Sequence, residues 1–232
     1  MEINKIATIK TDFRGKFGIP RQSGLIKTAG KIIFEEKYRD SAALRGLEDF
    51  THLWLIWEFS DNKNTDWSPT VRPPRLGGNK RVGVFATRSP YRPNRLGLSS
   101  VKIEKIYDDG ENGTVIEVSG ADLMNNTPIY DIKPYIPYTD CHIDAVGGFS
   151  EDVFFDDLEV FIPSDIAGNL PQNDLNDIAE ILKSDPRPHY HNDQNRVYAF
   201  EYSKYHIEFK VNGKKLYIIC INCWFVNDVL QN

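Results

Sequence analysis

Up to Tyr138, apolar positions come in short runs broken by turn residues, without the 3.6-residue spacing of helices. Strands are expected at Ile6–Ile9, Lys31–Glu36, His52–Phe59, Val82–Ala86, Ser100–Tyr107 and Thr114–Ser119, with a further one ending at Lys133-Pro134-Tyr135. The DDGENG segment between Tyr107 and Thr114 is a strong turn signal, and Glu117 between Ile116 and Val118 marks a half-exposed strand. Residues 11–26, TDFRGKFGIPRQSGLI, are rich in turn formers, and Ser41–Phe50 is too short for more than a brief helix or turn. Six or seven short strands with little helix predict a closed or partly closed β-barrel.

The run HLWLIWEF, His52–Phe59, is apolar almost throughout and reads as a strand buried on both faces, with Trp54 and Trp57 in the core. Glu58 is the exception. A carboxylate there either pairs with an arginine or points into a polar site, and pairing with a basic residue of the Arg72–Gly97 segment is the favoured reading.

Beyond Tyr138 the pattern changes. Residues 144–185 hold eleven acidic residues and one basic residue, Lys183, and 141–173 reads as an acidic linker or irregular surface. A helix is expected at Leu175–Ser184, with Asp174 as N-cap and Leu175, Ile178, Ile181 and Leu182 on one face. Strands around Val197–Tyr202, His206–Val211 and Leu216–Phe225 follow, with Asn212-Gly213 as a hairpin turn. The division is therefore 1–140, 141–173 and 174–232, and the fold class is mainly β or α+β. Cys220 and Cys223 form a CxxC inside an apolar strand; three apart, they point to opposite faces and read as buried structural thiols.

Charge alters the picture at one place. The 232-residue chain has net charge −5, yet Arg72–Gly97 carries Arg72, Arg75, Lys80, Arg81, Arg88, Arg92 and Arg95 and none of the chain's 33 Asp and Glu. Such an island attracts a polyanion locally. Pro73, Pro74, Pro90 and Pro93 with Gly77, Gly78, Gly83 and Gly97 place these cations on stiff loops. The competing reading is structural ion pairing with the acidic remainder. No GxGxxG, Walker lysine loop, GxSxG or metal-spaced histidine set is present, although His189 and His191 lie two apart. No apolar run is long enough to span a bilayer. The opening MEINKIATIK has no signal-peptide core, so the cytoplasm is expected. From the residues alone this is a β-rich protein with a basic loop surface and an undetermined reaction.

FGIPRQSGL (17–25), GLEDFTHLWLI (46–56), W-P-VRPPRLGGNKRVGVFATRSPYRPN (67–94), GLS (97–99) and D-L---TP--DIKPYIPY (122–138) resemble the TsaA-like/TrmO family of tRNA methyltransferases. DPRPHY (185–190) and the R-Y that follows resemble the family's smaller C-terminal domain. The resemblance implies a TsaA-like β-barrel methyltransferase outside the Rossmann class, homodimeric, using S-adenosylmethionine (SAM) and needing no metal. Its implied substrate is N6-threonylcarbamoyladenosine at position 37, beside the anticodon of certain tRNAs, methylated on N6.

Cofactor contacts carry over to Pro20, Arg21, Gln22, Arg88, Leu98 and the segment Asp122, Leu123, Met124 and Asn125, with Ser60 and Asp61 added. By chemistry, Asp122, Asp131 and Tyr135 are candidates to accept the N6 proton. Arg21 and Arg88 would hold cofactor or modified base, and Arg92 the threonine carboxylate. Arg72, Arg75, Lys80 and Arg81 would hold RNA backbone. Arg95 would favour RNA or pair with an acid, and Arg187 would dock the anticodon loop or stiffen a connection. Ser60 stands where relatives often have His, Arg95 where Pro is usual, and Met124-Asn125-Asn126 replaces an acidic-Gly ending. These departures keep open a non-catalytic RNA- or nucleotide-binding barrel, or methylation of another substrate.

Overall fold

The computed structural model describes residues 2–62, 66–73, 76, 80–151, 157–187 and 193–223. Arg75, Gly77, Gly78, His189, His191 and the end of the last expected strand lie outside the described residues.

Strands β1 (Ala7–Thr11), β2 (Ala29–Phe34), β3 (His52–Glu58), β6 (Leu96–Asp108), β7 (Thr114–Ser119) and β8 (Thr127–Pro134) close into a barrel in the order β1-β2-β7-β6-β3-β8. Every neighbouring pair is antiparallel. Closure leaves no free edge, and alternate residues fill the interior, among them Ile9, Ile32, Leu53, Leu55, Ile116 and Ile129.

Strand β3 corrects the expectation of burial on both faces. Leu53, Leu55 and Trp57 are buried, while His52, Trp54, Ile56 and Glu58 are half-exposed. Its two edges are occupied by β6 and β8, but only one of its faces looks into the barrel. Trp54 therefore lies outside the core, donating from Nε1 to Asp140 Oδ2 at 2.9 Å and packing on Tyr135. Val82–Ala86 is likewise not one strand. Only β5 (Val82–Gly83) pairs, with β4 (Thr70–Val71), before a 3-10 turn at Val84–Ala86 closes through the Thr87 amide to the Val84 carbonyl.

A second sheet, β10 (Tyr198–Tyr202), β11 (Tyr205–Asn212), β12 (Lys215–Cys223) and β9 (Glu159–Phe161), runs in the order β10-β11-β12-β9. Strand β9 pairs in parallel with β12, and Leu158 belongs to this sheet's core, so the later part of the expected linker is structured. The helix Gln172–Lys183 buries Ile178, Ile181 and Leu182 as its spacing predicts. It starts after Pro171 without a side-chain cap, because Asp174 lies inside the helix and instead accepts from the Tyr205 hydroxyl at 2.6 Å. Asn212 still pairs with Lys215, so the hairpin loop is Gly213-Lys214, with Gly213 at φ 60°. The cysteines are not buried as expected: Cys220 is half-exposed and Cys223 exposed. A bulge opposite Glu208/Phe209 shifts the register there, and the burial alternation of β12 fades beyond it.

The two sheets meet at the turn-rich segment after β1. Phe13 packs edge-on against Tyr202 at 5.3 Å and bridges to it, while Phe17 and Ile19 join the second core. Gly18, at φ 95°, lies where an added Cβ would meet the Phe200 ring. Gly97 is equally constrained, because it sits opposite Trp57 and the indole occupies the space its side chain would fill. Gly97→Ala is expected to lower stability by about 1–3 kcal/mol through overpacking. Chemical denaturation reads this directly, and an unchanged midpoint would contradict the close approach.

Candidate functional site

A cleft of about 620 Å³ opens beside the barrel. Four stretches of chain wall it: the turn holding Ile19–Gln22, the end of β3 and its following turn (Trp57–Asn62), the basic segment around Thr87–Arg92, and the start of β6 (Leu96–Leu98). Asp122 and Met124 from the β7–β8 connection and Thr127 at the start of β8 complete it.

The floor is built by strand register. Trp57 faces Gly97 across β3–β6, and its Nε1 donates to Ser99 Oγ at 2.9 Å. An indole N–H can only donate, so the single Ser99 proton is left for Asp122, whose Oδ1 accepts it at 2.6 Å. Burial pushes the Asp122 carboxyl up from its ordinary value, while the Ser99 and Ser23 hydrogen bonds and the Arg88 charge oppose the rise. Asp122 is therefore a carboxylate with a fixed orientation and raised basicity, facing the cleft.

Glu58, which also lines the cleft, pairs with Arg95 at 3.1 Å, the pairing expected from its position in an apolar run. It accepts from the Tyr130 hydroxyl at 2.6 Å, and this bond pushes the phenol up to about 12. Arg95 also donates to the Asn62 carbonyl at 2.9 Å, so its guanidinium braces the cleft wall. Asp61 pairs with Lys16 at 3.0 Å across the cleft edge.

On the rim, Arg88 donates to the Gln22 side-chain oxygen, and Arg21 donates to the carbonyls of Asp185 at 2.6 Å and Arg187 at 3.1 Å. Arg187 is largely buried, pairing with Asp185 at 2.8 Å and lying over Tyr198 at 5.8 Å. Of its two expected roles this placement fits the stiffened connection: Arg187 clasps Asp185, and the carbonyls of both residues take hydrogen bonds from Arg21. Arg92 lines the cleft with Nη1 bonded to the carbonyls of Val84 at 3.1 Å and Thr87 at 2.6 Å.

The expected cofactor residues divide accordingly. Pro20, Arg21, Gln22, Ser60, Asp61, Arg88, Leu98, Asp122 and Met124 come together around the cleft. Leu123 and Asn125 do not line it. Leu123 is buried and its carbonyl accepts from Thr11, while Asn125 binds the Thr11 amide through its side chain and the Phe13 carbonyl through its own amide. Both hold the turn in place. Asn126 adopts φ 67°, a conformation asparagine tolerates better than most residues, so the departure from glycine preserves the backbone path.

Of the three proton-acceptor candidates only Asp122 reaches the cleft. Asp131 pairs with Lys133 at 3.0 Å, and Tyr135 packs against His52 and Trp54, both away from it. Arg72, Lys80 and Arg81 are exposed on the neighbouring lobe, Arg81 clasped to Thr70 at 2.8 Å. Sequence reasoning gave no role to Ser99 or Tyr91. Ser99 lies within the quoted GLS motif, and its two-residue offset from Gly97 on β6 was the available signal.

The donor set suits a zwitterionic, sulfonium-bearing nucleoside. Apolar walls from Ile19, Trp57, Phe59, Leu98 and Met124 suit a flat base. The carboxylates Glu58, Asp61 and Asp122 suit positive charge, and Lys16, Arg21 and Arg88 suit a carboxylate.

The chain is similar to known proteins over most of its length. Residues 8–141 match the tRNA-methyltransferase O N-terminal domain, and residues 163–223 match the TrmO C-terminal domain. A relative from Escherichia coli K12, a tRNA (adenine(37)-N6)-methyltransferase, is 35% identical over 220 residues, covering 90% of this chain and 93% of its own. A protein of the same name from Eikenella corrodens is 42% identical over 163 residues, covering 70% of this chain and 91% of its own. The crystal structure of TrmO from Pseudomonas aeruginosa superposes with a TM-score of 0.75 at 27% identity, covering 96% of this chain and 98% of that one. With both domains matched and these relatives aligned along nearly their whole length, the chain belongs to the tRNA-methyltransferase O family.

Proposed function

We propose that this protein methylates N6 of adenosine 37 in tRNA, with SAM as methyl donor and N6-threonylcarbamoyladenosine as the substrate nucleoside. The observation that carries the reading is Asp122: a half-buried carboxylate, oriented by Ser99, in a cleft that adjoins the basic lobe. Family membership supports the reaction class. The resemblance adds a homodimer acting in the cytoplasm.

Pro20, Arg21, Gln22, Ser60, Asp61, Arg88, Leu98 and Met124 would hold the cofactor. When bound, SAM supplies an electrophilic methyl group on a sulfonium. Displacement at such a carbon needs mainly alignment, so the rigid walls supply most of the catalysis. The N6 nitrogen of the proposed nucleoside is already acylated, which makes its proton easier to remove than that of adenine. Asp122 would accept the N6 proton as the nitrogen takes the methyl group and the carbon–sulfur bond breaks to leave a neutral thioether, and Ser99 would hold the carboxylate in line. Arg92, braced by the Val84 and Thr87 carbonyls, meets the threonine carboxylate. Arg72, Lys80 and Arg81 hold backbone phosphates, and Arg75 joins them by assignment from sequence alone. The target base lies in a loop, which lowers the cost of extruding it.

Incubation with radiolabelled SAM and tRNA carrying or lacking the threonylcarbamoyl group tests the reading. Label is expected in the modified tRNA alone. Equal labelling of both tRNAs would remove the substrate requirement, and SAM binding without any labelling would remove the reaction.

The raised Asp122 carboxyl gives a second prediction. Only its ionised form accepts a proton, so turnover at saturating SAM should climb as pH rises through a value above the usual carboxylate range. Asp122→Asn should lose that limb and fall about a hundredfold or more. For stability the sign is opposite. A carboxyl that binds its proton more tightly folded than unfolded destabilises the fold once ionised. The variant should therefore match or exceed the wild type in melting temperature at pH 7, with any gain vanishing at low pH. A wild-type pH profile that stays flat down to the ordinary carboxylate range would contradict the assignment.

A further inference from the structure

The basic lobe carries more than charge. Phe85 stands at the tip of the 3-10 turn Val84–Ala86 with 71% of its surface in solvent, although it is one of the larger apolar side chains. Its neighbour Val84 is 1% exposed and anchors the turn from below. The Val84 amide donates to the Pro69 carbonyl at 3.0 Å, and its carbonyl accepts from the Thr87 hydroxyl at 2.8 Å and from Arg92. The same Arg92 guanidinium lies 5.5 Å from the centre of the Phe85 ring. The ring is thus presented by a braced turn with a cation beside it, a preorganised display of an apolar surface to water.

Two further aromatics share the lobe. Trp67 is 52% exposed and Tyr91 41%, and their backbones are joined through the Ser68 amide and the Tyr91 carbonyl at 3.2 Å. Tyr91 and Arg92 line the cleft, so the lobe borders the site of chemistry. No acidic residue occurs between Arg72 and Gly97. An exposed ring among cations, beside a cleft for a nucleoside, matches the interleaving of stacking and phosphate contacts that unpaired nucleic acid requires.

We propose that Phe85, braced by Arg92, is a stacking platform for an unpaired nucleobase next to the one that enters the cleft. The occupant is single-stranded RNA, on the charge complementarity of the lobe; an apolar protein partner would leave its arginines and Lys80 unmatched. This inference rests on the RNA-methylating reading and names the surface that steers the loop toward the cleft. Phe85 lies outside the cleft itself, so it acts on RNA and leaves the cofactor alone. Stacking is also tolerant of base identity, because every base offers a π-face.

The test measures full-length wild type, Phe85→Ala, Phe85→Trp and Lys80→Ala against a fluorescent anticodon stem-loop RNA by anisotropy over a salt series. SAM affinity by calorimetry and mass by light scattering are recorded alongside. Phe85→Ala is expected to weaken RNA binding about tenfold with SAM affinity, mass and salt slope unchanged. Phe85→Trp should stay within about twofold of wild type, and Lys80→Ala should reduce the salt slope by about one phosphate contact. Unchanged RNA affinity in Phe85→Ala overturns the platform alone. A change of mass in that variant overturns it too, placing Phe85 against a second copy of the chain. Wild-type protein that binds SAM but no RNA removes the RNA-methylating reading, and the platform with it.

Discussion

The indole of Trp57 lies against Gly97 with no room for one added carbon, and the floor of the cleft depends on that approach. Glycine at this point of β6 lets the ring lie across the strand and reach Ser99, two residues further on. The direction of the next hydrogen bond then follows from donor chemistry alone. Trp57 has no acceptor to offer, so Ser99 turns its proton to Asp122. A packing constraint between two barrel strands is converted in this way into the orientation of one half-buried carboxylate.

The second sheet is joined to the same site. Arg21 leaves the barrel's turn-rich segment and binds carbonyls at Asp185 and Arg187, where Asp185 takes φ 47° and is clasped by the Arg187 guanidinium. Phe13, Phe17, Gly18 and Ile19 press the neighbouring backbone onto the second core. One wall of the cleft is thereby held from outside the barrel. The arrangement gives the small C-terminal unit a physical part in shaping the cleft, and Arg187, nearly buried, contributes by positioning.

Much of this was legible from side-chain patterning. Short apolar runs bounded by turn residues located most of the barrel strands, alternation marked Thr114–Ser119, and the helix face of Ile178, Ile181 and Leu182 was visible in its spacing. That Glu58 needs a basic partner was readable because an acid breaks an apolar run, while the choice of Arg95 among the seven cations came only from the fold. What escaped shares a different cause. Strand β9 has three residues and draws its stability from a parallel neighbour more than fifty positions away, so no local signal marks it. The partners of Arg21 and Arg92 are backbone carbonyls, which every residue carries, and residue type cannot reveal them. Leu123 and Asn125 were grouped with Asp122 by proximity in sequence, yet the turn sends their side chains inward while Asp122 and Met124 face the cleft.

One cleft, floored by Trp57 and Asp122 and rimmed by Gln22 and Arg88, would receive the methyl donor next to the surface proposed for RNA. A crystal structure of the protein with S-adenosylhomocysteine tests it most directly. The ligand is expected in this cleft, in contact with the Pro20–Gln22 turn and Leu98, with its sulfur on the side of Asp122. A ligand bound elsewhere on the chain, or one whose sulfur faces away from Asp122, would contradict it.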